Sequence, residues 1–237
     1  MTVLQKIFSH NYFATIYFNF KMLPFHQAIK LPFDIYYNIR FENLTGKVKL
    51  PIDNLKRGMI KIGGRGSEMF TRSQTIIDLK GEIVFNGVTE LGHGTLIRVE
   101  KNGVLTFGHN NRIGALSKIF CENEIVFGEE IDFSWECQIF DTNFHYIRNV
   151  LDGSIDEKTG KVNIGDFNWF GNRVTIMKGC KTPPNLIIAS NSLCNKDYTK
   201  LLKYSVIGGI PAKQLTNNKE RVFEKIECVA QFDKKNI

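Results

Sequence analysis

Ile164-Gly165-Asp166-Phe167-Asn168-Trp169-Phe170-Gly171-Asn172-Arg173-Val174-Thr175-Ile176 is the stretch that decides the fold. Large apolar residues stand at Ile164, Phe170 and Ile176, six positions apart, and a glycine follows the first two. A period of six fits neither an α-helix nor a simple alternating strand. It fits a coil with three short flat faces. Each face supplies one inward apolar residue, and small residues serve the tight corners.

The same phase extends in both directions. It runs through Phe107, Ile113 and Ile119, slips by two residues, and resumes at Phe127, Phe133 and Ile139. Beyond Ile176 it continues at Ile188, with Thr182 and Cys194 as weaker members. Leu91-Gly92 and Ile97 mark an earlier coil. The residue after each apolar position is usually small: Gly108, Gly114, Gly128, Ser134, Gly165, Gly171, Ala189. Three hexads close a turn, so about 18 residues stack on the 18 before them and bury a continuous apolar column. An antiparallel sandwich would instead alternate between turns about 8–12 residues apart. The fold expected is all-β, a parallel β-helix solenoid.

Three zones follow. Residues 1–74 form an N-terminal cap segment, aromatic and basic, broken by Pro24, Pro32 and Pro51. Strands are expected there over 35–41 and 46–50. Residues 75–215 form the β-helix, with an excursion over 146–163 between Ile139 and the next in-phase residue, Ile164. Residues 216–237 form a C-terminal helix and tail, with Val222, Phe223, Ile226, Val229 and Ala230 on one helical face over 216–231.

Composition narrows the function. The 237 residues carry 19 Phe against 2 Trp, so Phe must fill much of the core. The net charge of +7 favours anionic partners, but no run of five or six basic residues occurs. Small anionic ligands are therefore preferred over nucleic acid. Five cysteines include no CxxC pair, and no basic segment followed by an apolar one opens the chain. Reduced thiols and a cytoplasmic location are expected. No stretch approaches the length that spans a bilayer. The basic-aromatic runs YFNFK and FHQAIKLPF read as a cap over the first coil, with peripheral membrane contact as the other reading.

The quoted stretch resembles the hexapeptide-repeat acetyltransferases. So do Ile188-Ala189-Ser190-Asn191-Ser192 through Lys196-Asp197 and the closing Val206-Ile207-Gly208-Gly209-Ile210-Pro211-Ala212-Lys213. Ser134-Trp135-Glu136 and Asp141-Thr142-Asn143-Phe144-His145 look like the branch that acetylates polysaccharide and lipopolysaccharide sugars. The resemblance implies a left-handed β-helix, acetyl-CoA as cosubstrate with no metal, a sugar or glycan acceptor, and a homotrimer with its site between subunits. It implies His145 as general base for direct acetyl transfer to a hydroxyl.

Residue chemistry agrees with that role. A base near neutrality must reach the hydroxyl, and histidine suits this without large tuning. Glu136 and Asp141 are candidates to orient the imidazole, or to cap turns. Trp135 is a candidate wall of the acceptor pocket, or an aromatic at a subunit contact. Trp169 points outward by alternation and needs a partner. The resemblance places it beside the CoA arm, with Asn172, Ser190, Asn195 and Lys196 at neighbouring coil positions and Lys213 near the CoA phosphates. His93 and His109 sit at glycine corners without metal-site spacing, and packing is the better reading of Cys137 and Cys194. Two other classes remain: an N-acetyltransferase acting on an amino sugar, and a non-catalytic β-helix scaffold.

Overall fold

The computed structural model describes residues 9–64 and 73–222. Three parallel sheets run the length of a β-helix. The first face begins at Phe33–Ile35 and Ile60–Gly64, and ends at Ile187–Ile188, Val206–Gly208 and an antiparallel Lys213–Thr216. The second runs from Ile39–Leu44 to Leu193–Cys194, and the third from Lys47–Lys49 to Val162–Ile164.

The hexad residues are the inward rungs. On the first face Ile35, Ile62, Leu91, Ile113, Phe133, Phe170, Ile188 and Ile207 pair in register from coil to coil. On the second the ladder is Phe41, Ile77, Ile97, Ile119, Ile139, Ile176 and Cys194. All twelve hexad positions from Phe107 to Cys194 are buried, Thr182 included. The phenylalanines form a column of rings through Phe33, Phe85, Phe107, Phe127, Phe133 and Phe170, with centroids 4.0–5.5 Å apart. Each such pair adds about 0.5–1.5 kcal/mol beyond area burial.

Small residues serve the corners for a reason other than backbone freedom. A Cβ on Gly108 would lie 2.2 Å from the Gly128 carbonyl oxygen, and one on Gly128 the same distance from Asp166 Oδ1. The coils stack too closely there for any side chain. The left-handed corner positions belong instead to larger residues two places on: Leu116, Glu136 and Arg173 at one corner, Asn110, Glu130 and Phe167 at another.

The solenoid starts earlier than the hexads reveal. Its first coil is already formed by 33–49, so the expected boundary at 74/75 falls inside the stack. The run 35–41, expected as one strand, is two: the chain turns at Tyr37 (φ 54°), the first corner. The cap proper is helix α1 (Tyr12–Met22), followed by the short α2 (Phe25–Ala28). Asn11 caps α1 by accepting from the Ala14 amide at 3.0 Å. Phe18 packs on Phe33 and Phe41. Thr15 Oγ1 accepts from the Ile35 amide (2.9 Å) and Asn19 Oδ1 from the Phe33 amide (3.2 Å), which satisfies the edge strand of the first coil. The outer side of α1 exposes Phe13, Ile16, Tyr17 and Phe20.

At the other end Thr216 closes a strand, and 217–222 contain no helix. The rest of the expected C-terminal helix lies outside the described residues. No helix among the described residues is long and apolar enough to cross a membrane.

Candidate active site

The second face reaches Phe140, and the third resumes at Val162. Between them the chain leaves the coil at the corner joining these faces. The excursion is a narrow ribbon, bridged at Thr142–Thr159 and Arg148–Ile155. His145 is exposed on it.

Its neighbour Phe144 is its anchor. The Phe144 ring meets Phe120 edge-on at 4.8 Å and Phe140 at 5.5 Å, both outward residues of the second face. Phe144 has φ of 64°, which a bulky residue adopts only where its surroundings hold it there. The Phe144 amide donates to Thr142 Oγ1 (3.0 Å), whose hydroxyl donates to Glu122 Oε2 (2.8 Å). Glu122 also pairs with Lys158, from the returning limb. Partial burial raises the Glu122 carboxyl pKa, but the Lys158 ammonium and the Thr142 hydroxyl outweigh it and hold the group below its ordinary value.

Asp141 takes the second of the two roles considered for it, capping a bend of the chain. It is buried, and its oxygens accept from the amides of Glu122 (2.8 Å) and Asn123 (2.7 Å). It pins the ribbon's root to the coil below. Burial pushes its carboxyl pKa up, against the pull of those amides. Glu136 occupies a left-handed corner and pairs with Arg173 Nε at 2.9 Å. No hydrogen bond joins His145 to Asp141 or Glu136 within the chain.

The candidates fall on separate parts of the prism. Trp135, Asn172 and Ser190 stack at the corner between the first and second faces: the Arg173 amide bonds to the Trp135 carbonyl, and the Asn191 amide to that of Asn172. Asn195 and Lys196 follow Cys194 at the corner that carries His145, with Lys196 Nζ 5.4 Å from the Tyr198 ring centroid. Trp169 lies on the first face between Asp132 and Ile187, half-buried beneath Arg221. Lys213 is exposed on the last strand of that face, after the cis Ile210–Pro211 bond. One chain thus places His145 on the same edge of the prism as Asn195 and Lys196, and on a different edge from Trp135, Asn172 and Ser190.

Beside the Phe144 anchor is a hollow of about 410 Å³, lined by Glu100, Lys101, Asn102, Phe120, Glu122, Phe144 and Lys158. Sequence reasoning missed these residues. The available signal was Phe120 and Phe140, large aromatics at outward positions of a solvent-facing sheet. Among the described residues no group of three or more His, Cys, Asp or Glu side chains is placed to hold a metal ion.

Comparison with known proteins returns acyltransferases. No family model matches the chain. A chloramphenicol acetyltransferase of Morganella morganii is 39% identical over 59 residues, which is 25% of this chain and 27% of that protein's length. Among solved structures, the polysialic-acid-specific acetyltransferase NeuO is similar over 84% of this chain and 83% of its own, at 16% identity and TM-score 0.46. The polysialic acid O-acetyltransferase OatWY is similar over 81% and 78%, at 19% identity and TM-score 0.42. The N-acyltransferase AntD from Bacillus cereus, with dTDP and 3-hydroxybutyryl-CoA, is similar over 86% and 87%, at 14% identity and TM-score 0.40. The fold itself stands on the strand ladders.

Proposed function

We propose that this chain is an acetyl-CoA-dependent O-acetyltransferase that modifies a sugar hydroxyl in surface polysaccharide biosynthesis. The observation that carries this reading is the excursion. A regular solenoid opens at one corner, and the residue displayed beside its packed aromatic anchor is a histidine. His145 takes the proton from the acceptor hydroxyl, whose oxygen attacks the thioester carbonyl. The tetrahedral oxyanion then collapses and expels the CoA thiolate, which receives the proton from the imidazolium.

The working unit of this reading is a homotrimer. His145 comes from one chain, and Trp169 and Lys213 come from its neighbour. The separation of these residues within one chain supports a site completed between chains. Asn172, Ser190 and Asn195 line the extended arm of CoA, while Lys196 and Lys213, both exposed, suit its phosphates. The exposed aromatic side of α1 supports contact of that end with a membrane carrying a lipid-linked acceptor, which flotation with anionic vesicles tests.

The reading is tested by His145→Ala. CoA release in the presence of sugar acceptors should fall about 10²–10⁴-fold, while acetyl-CoA still raises the unfolding temperature. Unchanged turnover overturns the role of His145. Absence of any stabilisation of the wild type by acetyl-CoA overturns the transferase class and favours the scaffold. Faster transfer to an amino sugar than to its hydroxyl analogue favours the N-acyl reading.

A further inference from the structure

We propose that the hollow beside Phe144 is the acceptor subsite and that it takes an uncharged pyranose. This rests on the transferase reading above and assigns the acceptor's place within it. The wall of the hollow is aromatic: Phe144 is 44% exposed and is braced from behind by Phe120 and Phe140. An exposed ring held at positive φ by a hydrogen-bonded neighbour offers a fixed apolar plane. A sugar ring has such a plane on one side and hydroxyls around its rim.

The rim of the hollow can accept those hydroxyls. Glu100 and Glu122 are carboxylates, and each has about four lone-pair sites. Lys80 Nζ donates to Glu100 at 3.1 and 3.2 Å, and Glu122 receives Lys158 and Thr142. Both carboxylates therefore keep acceptor capacity for O–H donors. Asn102 adds an amide.

The charges of the lining decide the acceptor's charge. Glu100 and Glu122 stand against Lys101 and Lys158, so the lining balances. Glu122 and Glu100 already hold their own lysines. An uncharged ring leaves those pairs intact. An acidic sugar must approach both carboxylates to reach Lys101, the lining ammonium that neither of them holds. The peptide link from Phe144 to His145 puts the imidazole one residue from the stacking ring, with adjacent Cα atoms about 3.8 Å apart.

The test uses the full-length protein and acetyl-CoA with methyl glucoside, methyl galactoside, N-acetylglucosamine and N-acetylneuraminic acid as acceptors. The wild type should prefer the uncharged rings. Phe144→Ala should raise the acceptor KM at least tenfold and leave the KM for acetyl-CoA unchanged. Phe144→Tyr should restore the acceptor KM, and Phe144→Leu should not. Glu122→Gln should raise the acceptor KM as well. A wild type that turns over but prefers N-acetylneuraminic acid, or a Phe144→Ala enzyme with an unchanged acceptor KM, overturns the subsite and leaves the transferase reading standing. No transfer to any acceptor, together with no thermal stabilisation by acetyl-CoA, overturns both.

Discussion

The Arg221 guanidinium lies over the Trp169 ring, 5.5 Å from its centroid, and pairs with Asp132. The pair of contacts draws the segment after Lys213–Thr216 back across the first face. An outward tryptophan needs cover, and here the chain supplies it. Arg221→Ala should expose the indole and cost about 1–2 kcal/mol. In a Trp135→Phe background Trp169 is the remaining indole, so its emission should shift to the red as the unfolding midpoint falls. An unmoved spectrum would mean that the tail does not rest on this face in solution.

Asp141 is expected to matter for stability rather than for base strength. Its carboxylate accepts two backbone amides beneath the ribbon, and Asp141→Ala leaves both half-buried donors without it. The cost should be about 2–4 kcal/mol by equilibrium denaturation. A member of a catalytic pair would behave differently. Its loss would move the pH profile of kcat and spare the unfolding midpoint.

The buried thiols predict a loss of stability in alkali. Burial pushes the Cys137 thiol up to about 12 and the Cys121 thiol up as well. An unfolded cysteine titrates near about 8.5. The folded state therefore keeps protons that the unfolded state releases. The stability these thiols contribute is complete below about pH 8.5 and is lost as pH rises toward the folded value, at about 1.4 kcal/mol per pH unit for each thiol. Denaturation at pH 7.5 and pH 10 checks this, and Cys137→Ala should make the dependence shallower.

The middle of the solenoid was legible because its two signals coincide. From Phe107 to Ile188 the inward hexad residues are large and apolar except Thr182, and the stacking contacts at their corners demand small residues. The earlier coils carry the same rungs, such as Ile35, Phe41, Ile62 and Ile77. Of these only Ile35 and Phe41 stand six apart, whereas Ile62 and Ile77 stand 15 apart, so a local period cannot follow them. The position of His145 on an excursion was legible because an interrupted repeat is visible in one dimension. The Phe144–Phe120 contact was not, since it joins an excursion to the coil beneath it. Stacking order sets that contact, and no spacing within the excursion records it. The same holds for Asp141, whose partners Glu122 and Asn123 lie one coil earlier.

A site shared between chains makes a prediction that a site within one chain does not. His145→Ala chains retain Trp169, and Trp169→Ala chains retain His145. In a cyclic trimer each interface pairs the His145 side of one chain with the Trp169 side of the next. Any trimer that mixes the two variants then has one interface with both native residues. Co-expression in equal amounts makes about three quarters of the trimers mixed, so roughly a quarter of the wild-type sites return. Activity should be measured at limiting acetyl-CoA, where loss of Trp169 weighs most, on particles purified through a different tag on each variant. If each variant alone is inactive and the doubly tagged trimers regain about one third of wild-type turnover, the donor and acceptor sides belong to different chains. Recovery no greater than the sum of the separate variants would place Trp169 and His145 in the same chain's site, against the geometry that sets them on different parts of the prism.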